Sequence, residues 1–120
     1  MHEYRATVIR VVDGDTVDLD IDLGFFMTTR QRIRLAHIDA PEKRGQCKHA
    51  GIGAMRFLEK MLATEKPLYV RTTKTGKFGR WLGELWIECD AVSVNQQMID
   101  TGHALPYEGG KRNKNKKKEQ

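Results

Sequence analysis

From Val17 to Leu23 the chain alternates apolar and acidic residues without a break: Val17, Leu19, Ile21 and Leu23 on one side, Asp18, Asp20 and Asp22 on the other. A period of two describes a β-strand with one covered and one wet face, and a helix would mix the two sets. This segment therefore commits the chain to a sheet that buries one side, with the three aspartates facing solvent. Tyr4 to Val12, rich in β-branched residues, reads as the strand before it, and Asp13-Gly14-Asp15 as the turn between them. Gly24 ends the second strand. Arg30 to Ile38 reads as a third, with Arg34 and His37 inside it and Asp39 at its exit.

A helix follows over roughly Gly51 to Ala63, because Ile52, Met55, Leu58 and Leu62 recur at helical spacing and Phe57 and Met61 widen the same stripe. Those Met and Phe residues are assigned to the core. Leu68 to Thr73 and Arg80 to Ile87 are the fourth and fifth strands, separated by a lysine- and glycine-rich turn. Ser93 with Gln96 three residues later is a capping-box pattern that opens a short helix, with Gly102 as its stop and Pro106 beyond. Three strands, a helix, two strands and a short helix is the order of an α+β, mainly β, five-stranded OB-fold barrel. The alternation establishes strands; closure of the barrel is inferred from their order.

At 120 residues and 39% hydrophobic the chain supports one small core. No stretch approaches the roughly 20 apolar residues of a membrane span. The net charge of +5 is not spread over the domain. Six of the 21 basic residues and one of the 16 acidic ones lie in 111–120, which leaves 15 of each in the rest. We therefore expect a neutral domain over 1–110 and a basic, disordered tail over 111–120 that raises affinity for polyanions. Met1 to Arg5 run straight into a strand pattern without an export signal, so a cytoplasmic protein, or one released by lysis, is expected, with Cys47 and Cys89 reduced. Cys47 and His49 have no second ligand pair to complete a zinc site.

Charged residues recur in three local patterns: Asp13-Gly14-Asp15-Thr16, then Arg34 through Asp39-Ala40-Pro41-Glu42, then Lys77-Phe78-Gly79-Arg80. Asp13 and Asp15 close one strand and Asp39 closes another. If those ends are neighbours the carboxylates converge, and a hard divalent cation relieves their repulsion. All-oxygen ligation favours Ca²⁺ or Mg²⁺ over zinc or copper. An EF-hand is excluded, because Val17 and Asp18 stand where its third ligand and its glycine are required. Arg34 and Arg80 have the planar fork that grips two phosphate oxygens. Glu42, two residues past Ala40 and held by Pro41, is placed to act on a water near the cation.

These three segments, in this order and spacing from about Tyr4 to Tyr107, resemble the staphylococcal nuclease (thermonuclease) family. The resemblance implies an OB-fold enzyme that cleaves single- and double-stranded DNA and RNA with Ca²⁺ and little sequence preference, leaving 3′-phosphate and 5′-hydroxyl ends. It implies Asp15 and Asp39 as side-chain calcium ligands, the Ala40 carbonyl as a third, and Asp13 behind them. Arg34 and Arg80 would bind the scissile phosphate, Glu42 would act on the attacking water, and Lys77, Phe78 and Tyr107 would line the nucleotide pocket. Three positions depart from the family: Ala40 replaces a threonine, Phe78 replaces a tyrosine, and the long C-terminal helix of secreted members is lacking. The Phe78 change removes a phosphate hydrogen bond, so weaker nucleotide binding is expected. A monomer with no membrane partner is expected. The alternative is a non-catalytic OB-fold nucleic-acid-binding module. A purely structural calcium-binding domain would leave the arginines without a role.

Overall fold

The computed structural model describes residues 2–41, 48–74 and 81–107. Its elements, in chain order, are β1 (His2–Asp13), β2 (Thr16–Gly24), β3 (Met27–Leu35), β4 (Ile38–Asp39), α1 (Lys48–Leu62), β5 (Leu68–Lys74), β6 (Trp81–Ile87), α2 (Val94–Asp100) and β7 (Leu105–Pro106). Five strands close into a barrel in the order β1-β2-β3-β6-β5, and β4 and β7 form a separate two-stranded sheet. This is the OB-like barrel expected from the element order, with α1 between β3 and β5 and α2 after β6.

Closure rests on two pairings that no local pattern announces. β1 pairs antiparallel with β5 through residues 2–6 and with β2 through residues 6–13. Register shifts after Val8 and after Val11 bend it far enough to serve both neighbours. The other seam is a short parallel match of Ile33, Leu35 and their neighbours with Trp81 to Gly83. Inside lie Val17, Leu19, Ile33, Leu35, Val70 and Leu85, fully buried, with Ile38, Leu58, Val94 and Met98 sealing the rest of the core. Ser93 caps α2 as expected, its Oγ accepting a hydrogen bond from the Gln96 amide at 3.1 Å.

Three boundaries differ from the sequence reading. β3 begins at Met27, not Arg30, because the chain reverses in a two-residue turn at Phe25-Phe26. It ends at Leu35, not Ile38, because His37 takes a left-handed φ of 67° and breaks the strand. His37 is therefore in a turn. Leu23 continues the alternation of β2 yet is exposed, since the hairpin runs past the rim of the barrel and no layer of the described residues covers it. α1 also begins earlier than Gly51, at Lys48.

Asp18 and Asp20 face solvent as expected, and their register gives them partners. Asp18 lies opposite Arg32, and Asp20 opposite Arg30. Each pair is bidentate, Nε to Oδ1 at 2.8 Å in both. The hydrogen bond from Arg32 holds the Asp18 carboxyl below its ordinary value, and that from Arg30 does the same for Asp20. Both folded-state values are depressed. Their stabilisation is therefore present above the ordinary carboxylate range and is lost as pH falls through the depressed folded values. A D18N/D20N variant should then be less stable than the parent at neutral pH, by a small margin typical of exposed pairs. The gap in urea unfolding free energy should close in acid; a gap that persists below the carboxylate range would show that the ion pairs are not its source.

Candidate active site

The Gly14-Asp15 turn between β1 and β2 is pressed against α1 and the segment after β4. A Cβ on Gly14 would sit 2.7 Å from the Ala54 Cβ and 2.9 Å from the Ala40 Cβ, closer than real Cβ contacts allow. Glycine is required here by space, and its absence of a side chain lets helix, turn and Ala40 meet. The Asp15 carbonyl accepts a hydrogen bond from the Leu35 amide at 2.7 Å, which ties the turn to the end of β3. The Asp15 carboxylate is buried and satisfied on both oxygens: Oδ1 accepts from Thr16 Oγ1 and Oδ2 from the Ala40 amide, each at 3.1 Å.

Past Leu35 the chain is steered into the site. The Ala36 amide donates to the Gly83 carbonyl at 2.9 Å, His37 reverses the chain, and β4 pairs Ile38 with Pro106 and Asp39 with Leu105. The Tyr107 amide donates to the His37 carbonyl at 2.8 Å. Asp39 is thereby placed beside Asp15, which lies 24 positions earlier in the chain. Both carboxylates lie within ion-pair range of one atom, Arg34 Nη2, at 3.5 Å from Asp15 Oδ2 and 3.7 Å from Asp39 Oδ1. The same nitrogen donates to the Ile38 carbonyl at 3.1 Å, and the guanidinium lies over the Tyr107 ring, 5.3 Å from its centroid.

The side chain of Arg34 is 18% exposed, while those of Asp15 and Asp39 are 9% exposed. Two carboxylates share one guanidinium, so the trio carries one net negative charge just beneath the surface. The oxygens that meet here, those of the Asp15 and Asp39 carboxylates, are of the hard type that suits Ca²⁺ or Mg²⁺. Among the described residues no group of three His, Cys, Asp or Glu side chains gathers for a metal. The arrangement can hold a hard cation on its acidic side and present an arginine fork to an anion on its exposed side.

Of the residues singled out from sequence, Asp15, Arg34, Asp39, Ala40 and Tyr107 are brought together, and Asp13 ends β1 one turn away, half-buried opposite Thr16. Glu42, Lys77, Phe78 and Arg80 lie outside the described residues, as does Cys47. Sequence reasoning missed Asn95. It is buried in α2, where its Oδ1 accepts from the Leu85 amide at 3.0 Å and its Nδ2 donates to the carbonyls of Ala36 at 2.9 Å and Gly83 at 3.0 Å. One side chain thus pins α2 to β6 and to the first residue of the turn that carries Arg34 into Asp39. The available signal was a polar residue on the same helical stripe as Val94 and Met98. Thr16 was likewise read only as part of the turn, and its hydroxyl orients Asp15.

A family model described as "Staphylococcal nuclease homologue" matches residues 32–120, a span that contains Arg34, Asp39, Glu42 and Arg80 and begins after Asp15. The chain is 34% identical over 115 residues to Protein ParB of Escherichia coli, an alignment covering 88% of this chain and 58% of that protein. It is 36% identical over 108 residues to an uncharacterized endonuclease of Escherichia coli O157:H7, covering 88% and 63%. It is 28% identical over 117 residues to a micrococcal nuclease of Shigella flexneri, covering 88% and 59%. The chain spans about six-tenths of the length of these curated relatives.

Proposed function

We propose, since the chain belongs to the staphylococcal nuclease homologue family, that it is a calcium-dependent nuclease which hydrolyses phosphodiester bonds of DNA and RNA with little sequence specificity. The observation that carries this reading is the convergence of Asp15 and Asp39 on the single nitrogen Arg34 Nη2. A structural ion pair needs one carboxylate. Two buried carboxylates around one partly exposed guanidinium leave acceptor capacity for a cation and donor capacity for an anion in the same place.

In this reading Asp15, Asp39 and the Ala40 carbonyl hold Ca²⁺, with Asp13 behind them. Ca²⁺ takes six to eight oxygens, so main chain and water would supply the remainder. When bound, the ion acts as a Lewis acid toward a phosphate oxygen. Arg34 is held from behind by the Ile38 carbonyl, to which Nη2 donates at 3.1 Å, and more loosely by the Leu35 carbonyl, 3.5 Å from Nη1. Its ion pairs, at 3.5 and 3.7 Å, are looser than hydrogen bonds and can be exchanged for phosphate contacts. Arg80 is assigned the second side of the phosphate, and the two forks stabilise the charge that builds on its equatorial oxygens. Glu42 orients and accepts the proton of the attacking water. The water oxygen bonds to phosphorus, the bond to O5′ breaks, and O5′ takes up a proton, giving 3′-phosphate and 5′-hydroxyl ends. Tyr107, over Arg34, and Lys77 and Phe78 are assigned to the nucleotide.

The test is digestion of single-stranded DNA with Ca²⁺, with Mg²⁺ and with EDTA, by the parent and by Glu42→Ala. Cutting in Ca²⁺ alone, absent in Glu42→Ala, with phosphatase-sensitive 3′ ends, is the expected result. A parent that binds the DNA tightly and never cuts it would favour the non-catalytic binding module; cutting that survives EDTA would rule out the cation.

A further inference from the structure

The outer face of β3 carries arginines in line. Arg30, Arg32 and Arg34 alternate with Gln31, Ile33 and Leu35, and Ile33 and Leu35 are buried in the barrel. The three arginines therefore share the side of the strand turned away from the core. Successive members stand two residues apart, about 6.7 Å. Arg34 is the guanidinium of the candidate site, so the row leads from that site out along the ribbon.

Across the ribbon Arg34 lies opposite Thr16, Arg32 opposite Asp18 and Arg30 opposite Asp20. Both aspartates grip their arginine on one edge, accepting from Nε and from Nη2. A guanidinium has five N–H groups, so this grip leaves both on Nη1 and one on Nη2. Among the described residues Nη1 has no hydrogen-bond partner in Arg30 or Arg32. Their side chains are 64% and 54% exposed. Each aspartate thus fixes a fork in place and leaves its other edge open, where a second anion can take two parallel hydrogen bonds.

We propose that Arg30 and Arg32 are substrate-positioning residues, which extend the site along β3 and seat the two backbone phosphates beyond the one at Arg34 in a single strand of nucleic acid. The role of Arg34 in this inference rests on the nuclease reading above. A step of about 6.7 Å is roughly twice the 3.4 Å rise of a stacked strand. The row therefore matches an unstacked, extended strand with one phosphate per arginine, and a duplex does not follow it. The face formed by the second and third strands is also where OB-fold barrels bind oligonucleotides.

Charge favours directed contacts over a long-range field. The ribbon sets Arg10, Arg30 and Arg32 against Asp18, Asp20 and Asp22, and Asp13 also acts on Arg32. The chain on either side adds positive charge. β6 joins β3 through Ile33 to Leu35, and Trp81, opposite Ile33, is preceded by the stretch Lys74 to Arg80, with three basic residues and no acidic one. After Pro41, residues 42–47 set Lys43 and Arg44 against Glu42.

The experiment is the affinity of the full 120-residue chain for an oligothymidylate of eight nucleotides and for the dinucleotide, in Ca²⁺, by fluorescence anisotropy and competition. A Glu42→Ala background prevents cutting. It is compared with the same background carrying Arg30→Gln/Arg32→Gln, and with one carrying those changes plus Asp18→Asn/Asp20→Asn, which keeps the net charge. Exposed pairs contribute little to stability, so the fold is kept. Both variants should bind the octamer more weakly by about tenfold or more. The dinucleotide has one phosphate and does not reach past Arg34, so all three proteins should bind it alike. A charge-matched variant that binds the octamer as its background does overturns the proposal, because the loss without the asparagines is then repulsion from bared aspartates. An equal loss on the dinucleotide also overturns it, since the damage then lies at Arg34. So does a background protein that binds neither. A chain with Glu42 intact that never cuts DNA, beside a loss confined to the octamer, keeps the row and removes the nuclease reading; one that cuts, beside equal octamer binding by all three, does the reverse.

Discussion

Under the proposed function, Arg34→Ala is expected to lower turnover on DNA by about 10²–10³, the loss typical of removing one preorganised donor from a developing anion. Its second consequence follows from the site's geometry. Arg34 Nη2 lies near one oxygen of each carboxylate, so the cation of the proposed function would compete with it for Asp15 and Asp39. Without it the two buried carboxylates lose the guanidinium they share, and the variant should be destabilised at neutral pH. Removing one partner of a fully buried pair costs about 3–5 kcal/mol. Arg34 is partly exposed, so the loss falls below that range. The same change should make Ca²⁺ a stronger stabiliser, because stabilisation by a ligand grows with the logarithm of its affinity for the folded state. Thermal melts with and without Ca²⁺ therefore separate the roles: a larger Ca²⁺-induced rise in Tm in Arg34→Ala than in the parent is expected. A smaller rise would mean that arginine and cation do not share the carboxylates. Arg34→Lys restores the charge without the fork, and should recover stability more than turnover.

Asn95→Ala has the largest expected effect on folding of any single truncation near the site. It removes three hydrogen bonds and leaves the Leu85 amide and the Ala36 and Gly83 carbonyls buried without that partner. The Gly83 carbonyl keeps its bond from the Ala36 amide and is the least affected. An unsatisfied buried group costs about 1–3 kcal/mol, so a loss of roughly 3–5 kcal/mol is expected, a large part of the 5–15 kcal/mol of a typical domain. Urea unfolding measures it directly. Activity measured where the variant is still folded should also drop, since Ala36 begins the turn between Arg34 and Asp39. Asn95→Asp keeps the acceptor but loses both donors and buries a charge, and should be no better. A loss under about 1 kcal/mol in Asn95→Ala would show that water replaces the side chain and that Asn95 is not the fastener of this turn.

The residues that resemble a nuclease were legible because they occur in contiguous runs with turn chemistry around them: Asp-Gly-Asp at one strand junction, Asp-Ala-Pro-Glu at another. What was not legible was how they meet. β4 and β7 are two residues each and carry no periodic signal, yet their pairing sets Asp39 and brings Tyr107 over Arg34. His37 read as strand because its neighbours are apolar; its left-handed φ is imposed by the need to reverse between Leu35 and Ile38. Phe25-Phe26 gave no turn signal at all, since phenylalanine is an unfavourable residue for the conformation it adopts.

By itself, then, the amino-acid order determined the five strands of the barrel, the two helices and the chemical types at the site. Period-two alternation and helical stripes are local properties, and so is the serine that caps α2. The tertiary structure alone decided that the barrel closes, that Asn95 fastens the turn, and that Asp15 and Asp39 meet at one nitrogen of Arg34. Those outcomes depend on hydrogen bonds and close packing between residues far apart in the chain. No window of neighbouring residues encodes such contacts; the seam between β1 and β5 and the space left by Gly14 do.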